Sequence, residues 1–252
     1  MTKIIMHGCN GRMGQVITGI VNDDPEVSIV AGIDVQDNIV TNNYPVFTDI
    51  DACDAEADVV IDFSTAKALD KLFDYCERKK LPLVLCTTGL SEEQLKKVDM
   101  LSEKIAILRS GNMSLGINTI LKTVKEVAKV LAPAGFDIEI VEKHHNQKLD
   151  APSGTAAMLA DSINEEFDDS YHYVYERQSV RQKRDKKEIG ISSIRGGSIV
   201  GDHDIIFAGK DEVVTVSHMA YSRAIFGNGA VAAAKFLSGK TKGLYTMSDV
   251  IG

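Results

Sequence analysis

The sequence predicts an α/β protein with a doubly wound parallel sheet in its N-terminal half and an inserted α+β part that carries a mixed sheet. Short apolar strand-like runs alternate with helical periodicity up to about residue 112, and the chain is strand-rich from about 171 to 218. A small-residue helical pattern at 226–239 is expected to pack back on the N-terminal half. The expected domains are residues 1–114 with 223–252, and residues 115–222.

The N-terminal half contains five strand-like runs. After the first run, Met13, Val16, Ile17 and Ile20 keep helical spacing. Short apolar strands that alternate with helices indicate a parallel sheet covered on both faces. The strand-like runs are KIIMH (3–7), VSIVAGID (27–34), ADVVIDFS (57–64), LPLVLCTTG (81–89) and IAILRSGN (105–112), and helices are expected over AKALDKLFDYCERKK (66–80) and after the capping box S-x-x-Q at 91–94.

The second half begins with a long amphipathic helix over 114–132. The strand that follows, FDIEIVEKHH (136–145), has Phe136, Ile138 and Ile140 on one face. A helix is expected after Thr155, because Leu159, Ile163 and Phe167 repeat every four residues. Three further strands are KEIGISSI (187–194), DHDIIFAG (202–209) and EVVTVSHMA (212–220), with Gly-Lys-Asp-Glu at 209–212 as a hairpin turn.

Composition limits the class of protein. The 252 residues are 44% hydrophobic and carry a net charge of −8 with a pI of about 5.3, which argues against a general nucleic-acid or membrane-surface binder. Four scattered cysteines without a CxxC pair indicate reduced thiols, not a disulfide or zinc framework, so no metal is expected. The N-terminal apolar run is too short for a signal peptide, and no apolar stretch approaches the roughly 18 residues of a membrane span. We expect a cytoplasmic protein.

The heptapeptide GCNGRMG places Gly8, Gly11 and Gly14 between a strand and a helix. Glycines there permit a tight turn, the approach of a pyrophosphate to the backbone, and close helix–strand packing. The spacing is G-x-x-G-x-x-G and not G-x-G-x-x-G, but its position in a βαβ unit favours a Rossmann-type dinucleotide-binding domain. The alternative is a glycine-rich turn without a ligand.

Asp34 ends the second strand, twenty residues after Gly14, where a ribose-binding acid is expected. Val35 follows it, so no cation is adjacent. A 2′-phosphate beside Asp34 would cost up to about 4 kcal/mol per charge pair at an effective dielectric of about 20, and NADH should be preferred over NADPH unless Arg12 or another cation compensates. The alternative for Asp34 is a solvated acid at a strand end. The small polar loops at 86–89 and 110–114 suit a nicotinamide and its ribose, although each is an ordinary turn by itself.

The segment EKHHNQKLDAPSGTA (142–156) gathers two histidines, a lysine and a helix start. His144 and His145 should point to opposite faces of a strand, which counts against joint metal chelation. Lys148 supplies positive charge, and the helix start at Ser153, Gly154 and Thr155 offers backbone N–H groups to a carboxylate. One histidine can transfer a proton. The pattern favours a small carboxylate substrate.

Other interpretations remain open. The histidines could be satisfied by solvent beside an ordinary helix N-cap. A non-catalytic nucleotide sensor would need Gly8, Gly11, Gly14 and Asp34 but not Lys148 beside a carboxylate site. A metal-dependent hydrolase could use both histidines, but no acidic ligand follows at a recognisable spacing.

EKHHNQKLDAPSGTA closely resembles the signature E-x-H-H-x-x-K-x-D-A-P-S-G-T-A of the 4-hydroxy-tetrahydrodipicolinate reductase family, formerly called dihydrodipicolinate reductase, of the lysine and diaminopimelate pathway. The resemblance spans nearly the whole chain in the same order. Its other segments are GCNGRMG, IDFS, CTTG (for the family's G-T-T-G), SGNMSLGIN and SRAIFGNGA.

The resemblance implies NAD(P)H-dependent hydride transfer to C4 of a cyclic dicarboxylate with loss of water, by a homotetramer assembled through the strand-rich domain. It implies that His144 is the general acid/base, Lys148 the proton donor and His145 a substrate contact, and that Gly154 and Thr155, after Ser153, bind a substrate carboxylate. The cofactor contacts that it implies are Gly8, Cys9, Asn10, Gly11, Arg12, Met13, Asp34, Cys86, Thr87, Thr88, Ser110, Gly111, Asn112 and Met113.

The sequence departs from the family at two positions and leaves two features open. Cys86 stands where the family usually has glycine, and Val35 where many members have arginine. The basic run RQSVRQKRDKKE (177–188) is either a positive funnel for a dianion or a solvated mobile loop. The remaining histidines, His7, His172, His203 and His218, show no recognisable partner and are expected to be structural.

Overall fold

The computed structural model describes residues 1–252. Two compact units divide the chain, one of Met1–Leu115 with Ala224–Gly252 and the other of Gly116–Arg223. The strands are β1 (Thr2–His7), β2 (Val27–Ile33), β3 (Val46–Phe47), β4 (Val59–Asp62), β5 (Leu83–Leu85), β6 (Ala106–Arg109), β7 (Asp137–His144), β8 (His172–Val174), β9 (Glu188–Arg195), β10 (Gly201–Ala208), β11 (Val213–Ala220) and β12 (Gly243–Tyr245). The helices are α1 (Arg12–Asn22), α2 (Leu69–Lys79), α3 (Glu92–Ser102), α4 (Leu115–Leu131), α5 (Gly154–Glu165), α6 (Ala224–Leu237) and α7 (Met247–Ile251), with 3₁₀ turns at Ile50–Ala52 and Ala66–Ala68.

The first unit is a seven-stranded parallel sheet in the order β12-β6-β5-β4-β1-β2-β3. Helices α1 and α6 cover one face, where Ile17 and Ala234 join the core formed by Ile4 and Ile61. Helices α2 and α3 cover the other face. The predicted doubly wound α/β fold is therefore confirmed. Because both faces of such a sheet are buried, its strands are almost uniformly apolar.

Several predicted boundaries in this unit needed correction. The three runs expected as strands at 57–64, 81–89 and 105–112 are strands only over Val59–Asp62, Leu83–Leu85 and Ala106–Arg109. The polar residues at the C-terminal ends of these runs leave the sheet at the carboxyl ends of its strands, which is where ligands generally bind in open parallel sheets. The capping box of Ser91 and Gln94 is confirmed. The short edge strands β3 and β12 were not predicted.

The second unit is a five-stranded mixed sheet in the order β11-β10-β7-β9-β8. Strand β7 pairs antiparallel with β10 and parallel with β9, and β10 and β11 form the predicted hairpin. Helices α4 and α5 cover one face, on which Ile138, Ile140 and Phe207 are buried. No helix in the chain is long and apolar enough to cross a membrane.

Candidate functional site

The glycine turn forms directly between β1 and α1. Gly8 has a φ of +83°, in the left-handed region, and a Cβ there would lie 2.6 Å from the carbonyl oxygen of Phe63. A Cβ at Gly14 would overlap the carbonyl oxygens of Gly8 and Cys9. Both positions therefore require glycine for steric reasons. The turn therefore packs closely against the end of β4 and against the start of α1, as is typical of a pyrophosphate-binding turn.

Helix α1 starts at the end of this turn. Gly11 is its N-cap, so Arg12 and Met13 begin the helix at its positive end, where backbone N–H groups lack intrahelical acceptors. The side chain of Arg12 is exposed, whereas that of Cys9 is buried in the core. Burial, together with the charge of Asp34, raises the pKa of the Cys9 thiol to about 12, which keeps it protonated. Cys9 can thus contact a cofactor only through its backbone.

Asp34 lies beside the glycine turn, as the sequence predicted. Its Oδ2 accepts a hydrogen bond from the backbone N–H of Asn10 (2.8 Å), and its Oδ1 accepts one from Val35 (2.8 Å). Asp34, Gly8 and Gly11 line a common cleft of about 420 Å³. The fixed carboxylate at this place suits the ribose hydroxyls of a dinucleotide, and the turn suits its pyrophosphate. The residues present therefore fit an NAD(P)H cofactor.

The two further loops expected to contact the cofactor follow β5 and β6. Cys86 donates its backbone N–H to the Asp62 carbonyl (3.0 Å), and burial raises the pKa of the Cys86 thiol well above its usual value. Thr87 is buried, and its Oγ1 has no hydrogen-bond partner. The Asn112 side chain accepts a hydrogen bond from the Ser114 N–H (2.8 Å). The half-buried Cys86 thiol, with its raised pKa, gives no support to a reactive thiol. The other loop residues, Thr88, Ser110, Gly111 and Met113, belong to the same unit.

A buried pair of side chains, which was not predicted from the sequence, adjoins the cleft. His7 Nδ1 lies 2.7 Å from Asp62 Oδ1, and both side chains are buried. His7, for which the sequence showed no partner, therefore has one. The two residues are register neighbours at the ends of the adjacent parallel strands β1 and β4. Only strand order and register bring them together, because 55 positions separate them along the chain.

In the second unit, His144 ends β7 with its ring fixed on two sides. Its Nδ1 lies 2.6 Å from Oε2 of Glu142. A carboxylate only accepts hydrogen bonds, so Nδ1 carries a hydrogen, and Nε2 is the nitrogen that is left to exchange a proton. The His203 ring packs edge-on against it, with centroids 5.3 Å apart. The ring is thereby oriented for proton transfer through Nε2.

Glu142 is the buried acid of this cluster and was not predicted. Its side chain is 0% exposed and is paired with Arg195 at 2.7 Å for each carboxylate oxygen. Burial alone would raise its pKa, but hydrogen bonds from Arg195, His144 and Ser193 outweigh burial and hold the pKa at about 2. The sequence did contain an indication that Glu142 is buried and paired. The alternation of Phe136, Ile138 and Ile140 extends to Glu142 on the core face, where a carboxylate needs a partner.

Lys148 lies in the loop after β7 with its cation near solvent. Its Nζ contacts both carboxylate oxygens of Asp150, at 2.7 and 2.8 Å. Its backbone N–H donates to the carbonyl of His145 (3.1 Å), which closes a turn directly after His144. The structure thus places the predicted cation one short turn from the predicted acid/base. The His145 side chain is half-buried.

Helix α5 begins at Gly154, two residues earlier than the start expected after Thr155. Ser153 is the N-cap, and its Oγ accepts a hydrogen bond from the Ala156 N–H (3.1 Å). Ser153 is only 2% exposed, so its hydroxyl serves the helix and His203, whereas Gly154 is exposed. The helix start that was predicted to bind a carboxylate therefore belongs to the same unit as His144 and Lys148.

His203 was another partner that sequence reasoning missed. Its Nε2 lies 3.0 Å from the Ser153 Oγ, although 50 positions separate the two residues. The pKa of His203 is lowered from 6.5 to about 4, mainly by burial and secondly by the nearby His144. His203 is thus neutral in the folded protein at neutral pH. It packs against His144 without adding a charge.

This shifted pKa predicts a loss of stability in acid. Between pH 6.5 and pH 4 the unfolded chain protonates His203 whereas the folded chain does not, so stability falls as the pH drops through this range. One such histidine contributes about 3 kcal/mol to this loss. Urea unfolding of the wild type and of His203→Gln across the range should show a weaker pH dependence for the variant. Equal pH dependence would mean that His203 does not carry the effect.

The basic run at 177–188 makes ion pairs that neither interpretation included. Arg177 and Arg184 are ion-paired with Glu139 of β7 and Glu188 of β9. The loop is therefore attached to the sheet through two of its arginines. Its lysines remain exposed. No three His, Cys, Asp or Glu side chains are grouped to hold a metal ion.

Comparisons with known proteins agree over the whole chain. Residues 2–113 match the family "Dihydrodipicolinate reductase, N-terminus", and residues 116–251 match "Dihydrodipicolinate reductase, C-terminus". Proteins named 4-hydroxy-tetrahydrodipicolinate reductase from Caldanaerobacter subterraneus subsp. tengcongensis and Clostridium novyi are 53% and 49% identical. Each alignment covers 100% of this chain and 98% of the relative.

A solved structure gives the same result. The dipicolinate-bound dihydrodipicolinate reductase from Paenisporosarcina sp. TG-14 matches with a TM-score of 0.82 and 25% identity, over 99% of each chain. Both halves of the chain, the sequence relatives and the fold therefore indicate one family. The chain belongs to the dihydrodipicolinate reductase family.

Proposed function

We propose that the protein reduces 4-hydroxy-tetrahydrodipicolinate to tetrahydrodipicolinate with NAD(P)H and loss of water, a step of lysine and diaminopimelate biosynthesis. The observation that carries the proposal is the cluster of Glu142-bound His144, Lys148 and the start of α5 in one unit. A nucleotide sensor has no use for this cluster. The names of relatives that align over the full length support the same activity.

The first unit binds the cofactor in this proposal. The start of α1 at Arg12 and Met13 faces the pyrophosphate, and Asp34 accepts hydrogen bonds from the ribose. The loops at 86–88 and 110–113 contact the nicotinamide end. When bound, the nicotinamide supplies the hydride for C4 of the substrate.

The second unit binds the substrate and moves the proton. A cyclic dicarboxylate has two anionic groups, and Lys148 and the backbone N–H groups of Gly154 and Thr155 are suited to bind them. His144 exchanges a proton at Nε2, Lys148 donates one, and His145 contacts the substrate. A positioned acid of this kind contributes about 10²–10⁴-fold to the rate.

The test is a coupled assay in which the preceding synthase makes the substrate in situ from pyruvate and aspartate semialdehyde. Oxidation of NADH or NADPH, followed by absorbance, should require the complete mixture. Protein that binds NADH yet oxidises neither cofactor would contradict the proposal and favour the nucleotide-sensor alternative. Turnover should be unchanged by a chelator, because the proposed chemistry uses no metal.

NADH is the proposed preferred cofactor, because Asp34 is fixed beside the glycine turn and Val35 supplies no cation. Asp34→Ala should weaken NADH binding and raise the relative affinity for NADPH, since the variant removes both the ribose acceptor and the charge that repels a 2′-phosphate. Fluorescence titration with each cofactor measures the ratio. An unchanged ratio would mean that Asp34 does not contact the ribose.

A homotetramer assembled through the second unit is also part of the proposal. No helix of that unit covers the sheet face opposite α4 and α5, and Ile194, Val213 and Met219 are exposed on it. Exposed apolar side chains on an uncovered sheet face favour association with further copies. Sedimentation equilibrium of the wild type gives the assembly size. A monomer at assay concentration would contradict this part.

The proposed location is the cytoplasm. All four cysteines are free thiols, and three of them are buried. Unpaired thiols are typical of proteins in reducing compartments.

A further inference from the structure

Glu142 occupies an unusual position in the second unit. It follows Ile138 and Ile140 on the helix-covered face of β7, and it is fully buried. Its register neighbours on that face are Ser193 in β9 and His203 in β10. A carboxylate among apolar side chains is costly unless every oxygen is hydrogen-bonded. Its contacts therefore indicate why this chain carries an acid there.

The two oxygens of Glu142 connect three separate segments. Oε2 accepts from His144 Nδ1 (2.6 Å) and from one terminal nitrogen of Arg195 (2.7 Å). Oε1 accepts from the other terminal nitrogen of Arg195 (2.7 Å) and from the backbone N–H of Ser153 (3.1 Å). The carboxylate thus joins the end of β7, the end of β9 and the start of α5.

Arg195 extends the connection to the loop that carries Lys148. The Arg195 nitrogen that contacts Oε1 also donates to the backbone carbonyl of Asp150 (2.6 Å). The Asp150 carboxylate in turn contacts Lys148 Nζ. One bidentate ion pair therefore touches the histidine, the lysine loop and the carboxylate-binding helix start. A planar guanidinium can make these contacts at once, whereas an ammonium cannot.

We propose that Glu142 and Arg195 are a positioning pair for the reaction. Glu142 keeps the proton on Nδ1 of His144, so that Nε2 exchanges protons with the substrate. Arg195 fixes the Lys148 loop relative to the same carboxylate. The inference rests on the proposed function and extends it to two residues that do not themselves react.

The space around His144 supports this orientation. A Cβ at Gly201 would lie 3.0 Å from His144 Nε2, so the absence of a side chain at position 201 leaves room at that nitrogen. His203 packs on the imidazole at an interplanar angle of 76°. His203 limits rotation of the ring, and Glu142 selects which nitrogen is protonated. The neutral His203 does not compete for that proton.

The first test measures the tautomer of His144 in the unmodified protein, by ¹⁵N NMR of histidine-labelled enzyme near neutral pH. His144→Gln serves to assign the signal. The expected form carries hydrogen on Nδ1. A neutral His144 with its hydrogen on Nε2 would overturn the proposal. This result does not depend on reductase activity, so failure of the inference and failure of the proposed function are distinguishable.

The second test is Glu142→Gln, which keeps the shape and removes the charge. Its amide can donate to Nδ1 and favour the other tautomer. We expect kcat to fall about 10²–10⁴-fold, as expected when a buried acid no longer orients a catalytic histidine, with NADH binding near the wild-type value. The ¹⁵N signals of His144 should switch to the Nε2–H form. A folded variant with unchanged kcat and tautomer would contradict the proposal.

Lys143→Gln is the matched control. Lys143 follows Glu142 on β7 but lies on the opposite face of the sheet, and its replacement breaks an ion pair with Asp204 of β10 (3.0 Å). We expect kcat and the His144 tautomer to be unchanged.

Arg195→Lys keeps the charge but not the bidentate contact, and it should lower kcat while the Nδ1–H tautomer persists. If Glu142→Gln does not fold, the proposal is tested by the His144 tautomer of the wild type and by the kcat of Arg195→Lys. A wild-type kcat in Arg195→Lys would overturn the role of Arg195.

Discussion

Lys148→Ala is expected to lower turnover by about 10²–10⁴-fold while cofactor affinity stays near the wild-type value. In the proposed reaction, Lys148 supplies both a proton and the positive charge that attracts a substrate carboxylate. Its ammonium belongs to the second unit and is ion-paired with Asp150. The proposed cofactor-binding residues lie in the first unit. Loss of the ammonium should therefore affect chemistry and substrate binding but not the dinucleotide.

Steady-state kinetics and NADH titration separate the two effects. A proton donor that acts in the transition state lowers kcat and kcat/KM together, whereas a purely electrostatic substrate contact raises KM alone. Lys186→Ala is the control, because Lys186 is an exposed lysine of the same unit in the basic run. We expect its kinetics to match the wild type. An equal loss of turnover and NADH binding in Lys148→Ala would mean that Lys148 acts structurally.

Gly14→Ala is expected to remove dinucleotide binding and to destabilise the first unit. The added Cβ would overlap the carbonyl oxygens of Gly8 and Cys9, which are backbone atoms and cannot rotate away. The turn must shift to relieve the overlap. Overpacking of this kind costs about 1–3 kcal/mol or more. The shift would also move the N-terminus of α1 from the place where the pyrophosphate is proposed to bind.

Gly19→Ala is a control in the same helix. A Cβ at Gly19 meets nothing within 4 Å, so the substitution should stabilise the protein by about 0.5–1 kcal/mol through helix propensity alone. Urea unfolding and NADH titration of both variants make the comparison. Wild-type NADH affinity in a folded Gly14→Ala would contradict the role assigned to the turn.

Local patterns were sufficient to predict the elements that position the site. The alternation of apolar strands and helices predicted the doubly wound sheet. The S-x-x-Q pattern predicted the capping box at Ser91 and Gln94. The hairpin after Gly209 followed from its flanking strands. Each of these features depends on neighbours within a few residues. A single sequence contains that information directly.

The partners of the site residues could not be predicted in the same way. Arg195 lies 53 positions from Glu142, and His203 lies 50 positions from Ser153. Their contacts depend on β7 lying between a parallel and an antiparallel neighbour in a particular register. The short edge strands β3 and β12 were missed for a related reason. Strands of two or three residues are too short to show a period.

The return of the chain to the first unit affects the order in which the protein can fold during synthesis. Ala230, Ala233, Ala234 and Leu237 of α6 fill one face of the first sheet, and β12 adds its last strand beside β6. When only residues 1–115 have been made, α1 covers part of this face, but the part that α6 covers is still exposed. The second unit is contiguous and can complete its own core first. The earliest segment to emerge is thus among the last to be completed, and until then it exposes apolar surface that favours aggregation.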